Sequence, residues 1–209
     1  VVKRTLSGIL YIALLVGAIL FSKDTFLALF AFFFIVAVYE FCQLYHINKI
    51  SGYIWSILLA SSFIFVDNLP INSIYLIVLP FSIFLIIDLL QNKASSKPST
   101  FQKYLHLTGY VVLPFLIITQ LPYSNQSYTP LLLLSIFIMI WCNDTFAYIC
   151  GKLLGKHKLY EKISPKKTIE GFIGGLIFTQ IAAFIIFKYS DIQASLPFWM
   201  LIGLGISVV

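Results

Sequence analysis

Residues 143–175 read NDTFAYICGKLLGKHKLYEKISPKKTIEGFIGG, and this stretch concentrates the charge and glycine of an otherwise apolar chain. Six lysines fall between Lys152 and Lys167, against two glutamates. Asp144 precedes them near the end of an apolar run, where an unpaired carboxylate in hydrocarbon costs several kcal/mol. We therefore expect Asp144 to be a functional residue that meets a cation.

The spacing within this stretch is helical. Asp144, Tyr148 and Lys152 recur every four residues, so a helix would carry them on one face. Gly151 and Gly155 lie beside that face and permit close approach of backbone or ligand.

Further along, Ser164 and Pro165 form a helix-start signal, with serine as the N-cap and proline at the first helical position. Lys166 and Lys167 would then lie in the first turn, where the helix dipole disfavours cations. A bound phosphate would resolve this conflict, because free amides at residues 164–168 and two ammonium groups suit an anion. The alternative is that the lysines only mark a cytoplasmic loop under the positive-inside rule.

The polar residues and glycines of the stretch follow one pattern, which is Asn143-Asp144-Thr145, Ala147-Tyr148, Gly151-Lys152, Gly155 to Leu159, Ser164 to Thr168, Glu170-Gly171 and Gly174-Gly175. This pattern resembles the phosphatidate cytidylyltransferase (CDP-diacylglycerol synthase) family. Weaker similarity reaches the amino terminus, at Arg4-Thr5, Ser7-Gly8 and Tyr39 to Phe41.

The resemblance implies an enzyme of phospholipid biosynthesis. In that family phosphatidate attacks the α-phosphorus of CTP, giving CDP-diacylglycerol and pyrophosphate. Such a transfer gathers negative charge in one place, so the site mainly needs positioning and cations.

Mg²⁺ is the expected cofactor, and it prefers one or two carboxylates plus substrate oxygens. Asp144 is the candidate metal ligand, or a contact to the nucleotide, and Asp144 and Lys167 are the candidate catalytic residues. The candidate substrate-binding residues are Asn143, Tyr148, Lys152, Lys156, Lys158, Ser164, Lys166 and Thr168. Among these, residues 164–168 are assigned to the phosphates of CTP, and the earlier lysines to the lipid phosphate or to attracting nucleotide.

Three further polar residues leave alternatives open. Glu40 is either a second polar group of the site or an interfacial carboxylate that pairs with a lysine. His157 is a phosphate contact or a loop residue rather than a general base, and Asp88 is expected at the membrane interface.

Composition independently excludes an ordinary soluble domain. The 209 residues are 60% hydrophobic and 11% charged, with a mean hydropathy of +0.96, which predicts an all-α polytopic membrane protein. The formal charge is +6, and the lysines that produce it lie in short loops between apolar runs. The expected partners are therefore membrane lipids and phosphate-bearing substrates, with no nucleic acid. The resemblance implies that these substrates are CTP and phosphatidate, and a homodimer is left open.

The apolar runs predict about eight transmembrane helices in a single domain over residues 1–209, with a basic loop at 151–170. The predicted spans are Leu6–Phe21, Phe26–Tyr45, Tyr53–Val66, Ile71–Leu90, Tyr104–Leu121 with an interruption at Pro114, Pro130–Cys150, Gly171–Phe187, and a last one that starts at Leu196 and is truncated.

This span count predicts an orientation. If the amino terminus is inside, the inner segments hold twelve of the fourteen lysines and arginines, and the outer loops hold only Lys23 and Lys188. Because basic residues mark the cytoplasmic side, we expect the amino terminus and the basic loop to face the cytoplasm. The expected location is the bacterial inner (plasma) membrane.

The chain departs from the family in one respect. The carboxyl-terminal signature of the family, which ends in Asp-Arg-x-x-Asp and contributes acidic metal-site residues, has no match here. We therefore expect a fragment that is inactive alone. The alternatives are a related CTP-dependent lipid kinase or transferase, a membrane transporter with Asp144, Glu40 and Pro80 along its path, or a noncatalytic membrane fragment.

Overall fold

A computed structural model describes residues 2–64, 80–87, 98–123, 128–160 and 164–208. These residues form α-helices and one two-stranded hairpin. In chain order the elements are α1 (Val2–Phe21), α2 (Lys23–Leu44), α3 (Lys49–Ile64), α4 (80–87), α5 (Thr100–Leu107), α6 (Leu113–Gln120), α7 (Leu131–Leu154), β1 (Lys158–Tyr160), β2 (Ser164–Thr168), α8 (Ile169–Tyr189) and α9 (Leu196–Val208).

Serine residues start two of the helices. The Ser22 hydroxyl accepts a hydrogen bond from Thr25 N, and the Thr25 hydroxyl oxygen accepts one from Ser22 N, both at 3.1 Å. Ser99 and Gln102 form the same reciprocal pair ahead of α5. Each pair satisfies two amides that the helix itself cannot bond, and Ser22 alone separates α1 from α2.

A π-helical turn at Thr108–Val112 joins α5 to α6. Leu113 N donates to Thr108 O, five residues back, and Pro114 has no N–H with which to continue the usual ladder. The predicted interruption at Pro114 therefore takes the form of a wide turn just before the proline. With a final 3₁₀ turn, the segment Thr100–Tyr123 runs as one apolar helix.

Four helices of the described chain are long and apolar enough to cross a membrane: Lys23–Leu44, Thr100–Tyr123, Leu131–Leu154 and Ile169–Tyr189. Gly8–Phe21 and Leu196–Val208 are shorter apolar helices. The prediction of an all-α polytopic integral membrane protein is confirmed. Of the eight predicted spans, most of Ile71–Leu90, including Asp88, and the end of Tyr53–Val66 lie outside the described residues.

The first compact unit is Val1–Leu121. Its core contains the buried side chains of Val38, Cys42, Leu107 and Val112, contributed by α2 and by the segment around the π-helical turn. Inside this unit the Trp55 indole N–H donates to the Thr108 hydroxyl at 2.9 Å.

The second compact unit is Pro122–Val209. Helix α8 packs against both α7 and α9, and Met139, Ala183 and Trp199 form the fully buried centre of this helical layer. The prediction of one domain over residues 1–209 concerns the whole chain and stays a prediction.

The helix start predicted at Ser164-Pro165 is wrong. Residues 164–168 form strand β2, and α8 begins at Ile169 with Thr168 as its N-cap. Threonine serves as an N-cap as serine does, and the fixed φ of proline suits an extended edge strand as well as a first helical turn. The predicted basic loop, 151–170, comprises the last turn of α7, the hairpin and the first two residues of α8.

Candidate active site

One face of α7 carries Asp144, Tyr148 and Lys152, as the spacing predicts, and all three side chains are exposed. The Lys152 ammonium nitrogen lies 5.9 Å from the centroid of the Tyr148 ring, at the outer limit of a cation–π interaction.

Asp144 forms no ion pair or hydrogen bond within the part of the chain that the structure describes. It lies ten residues before Leu154, the last residue of α7, which corresponds to about 15 Å along the helix axis. A ligand that touches both Asp144 and the hairpin beyond α7 must therefore extend along the Tyr148 and Lys152 face.

Small residues bring α7 and α8 unusually close together. A Cβ atom on Gly171 would lie 2.7 Å from Ala147 O and 3.1 Å from Gly151 Cα. A Cβ atom on Gly175 would lie 2.7 Å from the Asn143 side-chain oxygen. This glycine seam fixes the hairpin that connects the two helices relative to the Asp144 face.

Strands β1 and β2 pair antiparallel, with Lys158 opposite Thr168 and Tyr160 opposite Ser164. Between these two pairs β1 advances two residues and β2 advances four. The extra length of β2 is a bulge at Pro165, Lys166 and Lys167, all three of which are exposed. Bulges redirect side chains, and here two consecutive lysines both reach solvent.

The base of the hairpin is closed by Glu170. Its carboxylate accepts hydrogen bonds from Lys156 N at 3.1 Å and from His157 N at 3.2 Å, and it lies 2.7 Å from His157 Nδ1. In the opposite direction, Ile169 N donates to His157 O at 2.9 Å. Residues 156–157 are thus fixed to the first turn of α8.

Comparison with known proteins bears on this arrangement. The sequence model that describes the cytidylyltransferase family matches residues 2–209 of this chain. The chain belongs to the cytidylyltransferase family. The expected resemblance is confirmed, and cytidylyltransferases are enzymes that transfer a nucleotidyl group.

Several staphylococcal relatives carry the name phosphatidate cytidylyltransferase. The protein from Staphylococcus haemolyticus is 32% identical over 98% of this chain and 79% of its own length. The one from Staphylococcus saprophyticus is 39% identical over 45% of this chain and 34% of its own, and that from Staphylococcus aureus strain COL is 46% identical over 32% of this chain and 25% of its own. No solved structure matches the chain.

The predicted site residues of this cytidylyltransferase fall into two groups. One group presents exposed polar ends to solvent and consists of Asp144, Tyr148, Lys152, Lys156, Lys166 and Lys167. Among described residues, none of these lysines pairs with a carboxylate.

The other group makes contacts within the fold. Thr168 caps α8 by accepting from Gly171 N at 3.2 Å, and the Lys158 ammonium donates to Pro165 O at 2.7 Å. Asn143 faces α8, where its side-chain oxygen accepts from the Thr179 hydroxyl at 3.4 Å, and Ser164 is half-buried. Their predicted roles in substrate binding stay predictions.

The donor set fits a partly hydrated Mg²⁺ that the substrate helps to ligate. No group of three His, Cys, Asp or Glu side chains is close enough to hold a metal ion within the described ranges. Mg²⁺ commonly takes one or two carboxylates, with phosphate oxygens and water completing its shell. Asp144, which is exposed and has no partner in the described part of the chain, is suited to be one such carboxylate.

Sequence reasoning missed Glu170 as a contributor to the site. The sequence feature that could have identified Glu170 is its negative charge, because it is one of two acidic residues in a stretch that holds six lysines. Glu40 lies exposed on α2 in the first unit, and its place in the site stays a prediction.

Proposed function

We propose that this protein transfers a cytidylyl group from CTP to phosphatidate, giving CDP-diacylglycerol and pyrophosphate. The observation that carries this proposal is Asp144, which is exposed and has no partner among the described residues. It lies on the same α7 face that leads to four exposed lysines, in a chain of the cytidylyltransferase family. Membership of that family supplies the reaction type, and the lysines supply the charge that phosphate groups require.

Lys166 and Lys167 are assigned to the triphosphate of CTP. Both side chains are exposed in the bulge, and a phosphate chain offers several oxygens to two neighbouring cations. As the bond between the α-phosphorus and the pyrophosphate oxygen breaks, negative charge grows on the leaving group. Cations already in position stabilise that charge without reorganisation.

Lys152 and Lys156 are assigned to the phosphate of phosphatidate. Lys152 lies in the last turn of the apolar helix α7, and Lys156 lies two residues beyond its end, where lysine side chains reach from hydrocarbon to the headgroup level. A phosphatidate molecule in the surrounding membrane can therefore bring its phosphate to these lysines without leaving the lipid phase. Its phosphate oxygen then forms the new bond to the α-phosphorus.

Asp144 would hold Mg²⁺ together with substrate phosphate oxygens. When bound, the ion supplies positive charge that orients the phosphates and offsets the charge of the transition state. Because Asp144 is separated from the hairpin, a nucleotide that reaches both must lie along α7, with Tyr148 beside it.

Membrane location follows from the described helices, and we propose the bacterial inner membrane with the amino terminus and hairpin in the cytoplasm, where CTP is present. The twelve-to-two distribution of basic residues supports this orientation. Membrane lipids are the surrounding partners, and a homodimer stays a prediction.

An activity assay tests the proposal. The protein at its natural length, in detergent micelles that contain phosphatidate, should form CDP-diacylglycerol from CTP only when Mg²⁺ is present. Parallel reactions replace phosphatidate by diacylglycerol or by other phospholipids. Activity with diacylglycerol alone would indicate a lipid kinase, and a folded protein that is inactive with every acceptor would contradict the proposal.

A further inference from the structure

Glu170 is unexpected in a phosphate site, because a carboxylate repels phosphate unless hydrogen-bond donors compensate its negative charge. Here both oxygens are occupied. Oε2 lies 3.1 Å from Lys156 N and 3.3 Å from His157 N, and Oε1 lies 3.2 Å from His157 N and 2.7 Å from His157 Nδ1. The carboxylate therefore faces the chain's own donors and not the space in front of the lysines.

The contact with His157 fixes the orientation of the imidazole ring. An ionised carboxylate only accepts hydrogen bonds, so the proton of this pair belongs to Nδ1. The other ring nitrogen, Nε2, is separated from Nδ1 by one carbon atom, and the two nitrogens direct their hydrogen bonds away from each other. The His157 side chain is 74% exposed, whereas that of Glu170 is 23% exposed. One edge of the imidazole is thus held by the protein, and the other edge makes no hydrogen bond within the described ranges and can meet a ligand.

The neighbourhood of that free edge is basic. His157 lies between Lys156 and Lys158 in sequence, and β2, which pairs with the strand that follows His157, carries Lys166 and Lys167. A carboxylate that fixes a histidine through one nitrogen so that the other can act is a recurrent arrangement in metal sites and active sites.

We propose that His157 is a further contact to a substrate phosphate, made through Nε2, and that Glu170 is the positioning residue that aims it. This inference rests on the proposed function, since it takes its ligand from that reaction. In the protonated ring Nε2–H donates a hydrogen bond to an ionised phosphate oxygen. CTP and phosphatidate both present such an oxygen.

Two substitutions at His157 separate the two edges of the ring. In His157→Asn the side-chain amide nitrogen takes the position of Nδ1, so the donor to Glu170 is kept and the group at Nε2 is lost. In His157→Gln the amide nitrogen reaches the position of Nε2 instead. We expect His157→Asn to raise the KM for one substrate roughly 10- to 100-fold, the range for a charge-assisted hydrogen bond, and His157→Gln to recover part of that loss.

The substrate whose KM changes identifies the source of the phosphate. KM is measured for CTP at saturating phosphatidate and for phosphatidate at saturating CTP. A rise for CTP assigns His157 to the triphosphate, and a rise for phosphatidate assigns it to the lipid. Unchanged KM values for both substrates in His157→Asn would overturn the proposal.

A double-mutant cycle tests the positioning role of Glu170. If Glu170 acts through His157, then Glu170→Gln should raise the same KM, and the double variant with His157→Asn should be no worse than the more impaired single variant. Independent, multiplying effects would assign Glu170 a purely structural role and contradict the positioning claim. If Glu170→Gln does not fold, the His157→Asn and His157→Gln pair still decides the phosphate contact.

The proposed function and this inference fail in different ways. A wild-type protein that forms no CDP-diacylglycerol removes the proposed function and, with it, the ligand of His157. A fully active wild type with a fully active His157→Asn variant removes only the inference.

Discussion

Two carboxylates of the second unit differ in what their oxygens contact. Glu170 accepts from two backbone amides and lies against the imidazole of His157. Asp144 has no partner within the described part of the chain, although it lies inside a helix long and apolar enough to cross a membrane. An unpaired charge in such a helix is costly, so Asp144 is the carboxylate that we expect to act on a ligand.

Asp144→Asn should reduce turnover on the order of 100-fold or more, since it removes the charge that would hold Mg²⁺ while keeping the shape of the side chain. The rate of CDP-diacylglycerol formation measures this. Asp191→Asn, the same chemical change in the segment after α8, is the matched control and should keep full activity. Equal rates for the two variants would remove Asp144 from the site.

Lys166→Gln combined with Lys167→Gln should raise the KM for CTP strongly, by about tenfold or more for each ionic hydrogen bond lost. Lys188→Gln, at the other end of α8, is the control and should leave KM unchanged. Added salt should raise the wild-type KM more than that of the double variant, because salt screens exposed charges. A CTP requirement that the double substitution does not alter would leave these lysines as topological charges.

At the scale of elements, the glycine seam sets the distance between α7 and α8. Gly171 approaches backbone atoms of α7, which cannot move aside as a flexible side chain can. The hairpin begins directly beyond this seam, so the geometry of the basic residues depends on the approach of the two helices.

Gly171→Ala should destabilise the protein by about 1 to 3 kcal/mol, the usual cost of overpacking, and should lower activity as α7 and α8 separate. Gly205→Ala in α9 is the matched control. A Cβ atom at Gly205 meets nothing within 4 Å, and alanine is favoured over glycine in a helix by up to about 1 kcal/mol. Thermal unfolding in detergent measures both effects. A Gly171→Ala variant as stable as Gly205→Ala would show that the helices are not locked at this point.

Sequence reasoning located α7, α8 and the close approach at Gly151, and it did so for physical reasons. Apolar length fixes a membrane helix, and glycine permits a backbone contact that other residues prevent. It failed at Ser164-Pro165, because the same residue types start a helix or open an extended strand. The choice was decided by pairing with residues 158–160, a contact too short to leave a periodic pattern.

Side-chain partners were less predictable than elements. Asn143 was a candidate substrate-binding residue, and in the structure its side-chain oxygen contacts the Thr179 hydroxyl of α8. The Glu170 contacts could not be inferred, since they require the chain to reverse direction between residues 157 and 170. Such contacts depend on the hairpin geometry and not on local spacing.

At the scale of the whole molecule, the distribution of basic residues predicts one orientation in the membrane. Single cysteines at Lys156, on the hairpin side, and at Lys188, at the opposite end of α8, should react from opposite sides of sealed vesicles. Cys42, Cys142 and Cys150 are first replaced by alanine. The position at Lys156 should react with a membrane-impermeant maleimide only when the cytoplasmic face is exposed. Labelling of both positions from one side would contradict the orientation.

The backbone amides of Lys156 and His157 are already hydrogen-bonded within the protein, and this affects which anions the hairpin can bind. Backbone amides are rigid donors that favour one anion shape, and Glu170 already uses those of this turn. Apart from the imidazole of His157, the side-chain donors are ammonium groups on flexible stems, which adapt to differently shaped anions at little cost in geometry. A catalyst that takes in a triphosphate, accepts a phosphomonoester and lets a diphosphate depart benefits from adaptable donors. Because the rigid amides of the hairpin are already hydrogen-bonded to Glu170, they do not bind any one of these ligands too tightly for it to leave.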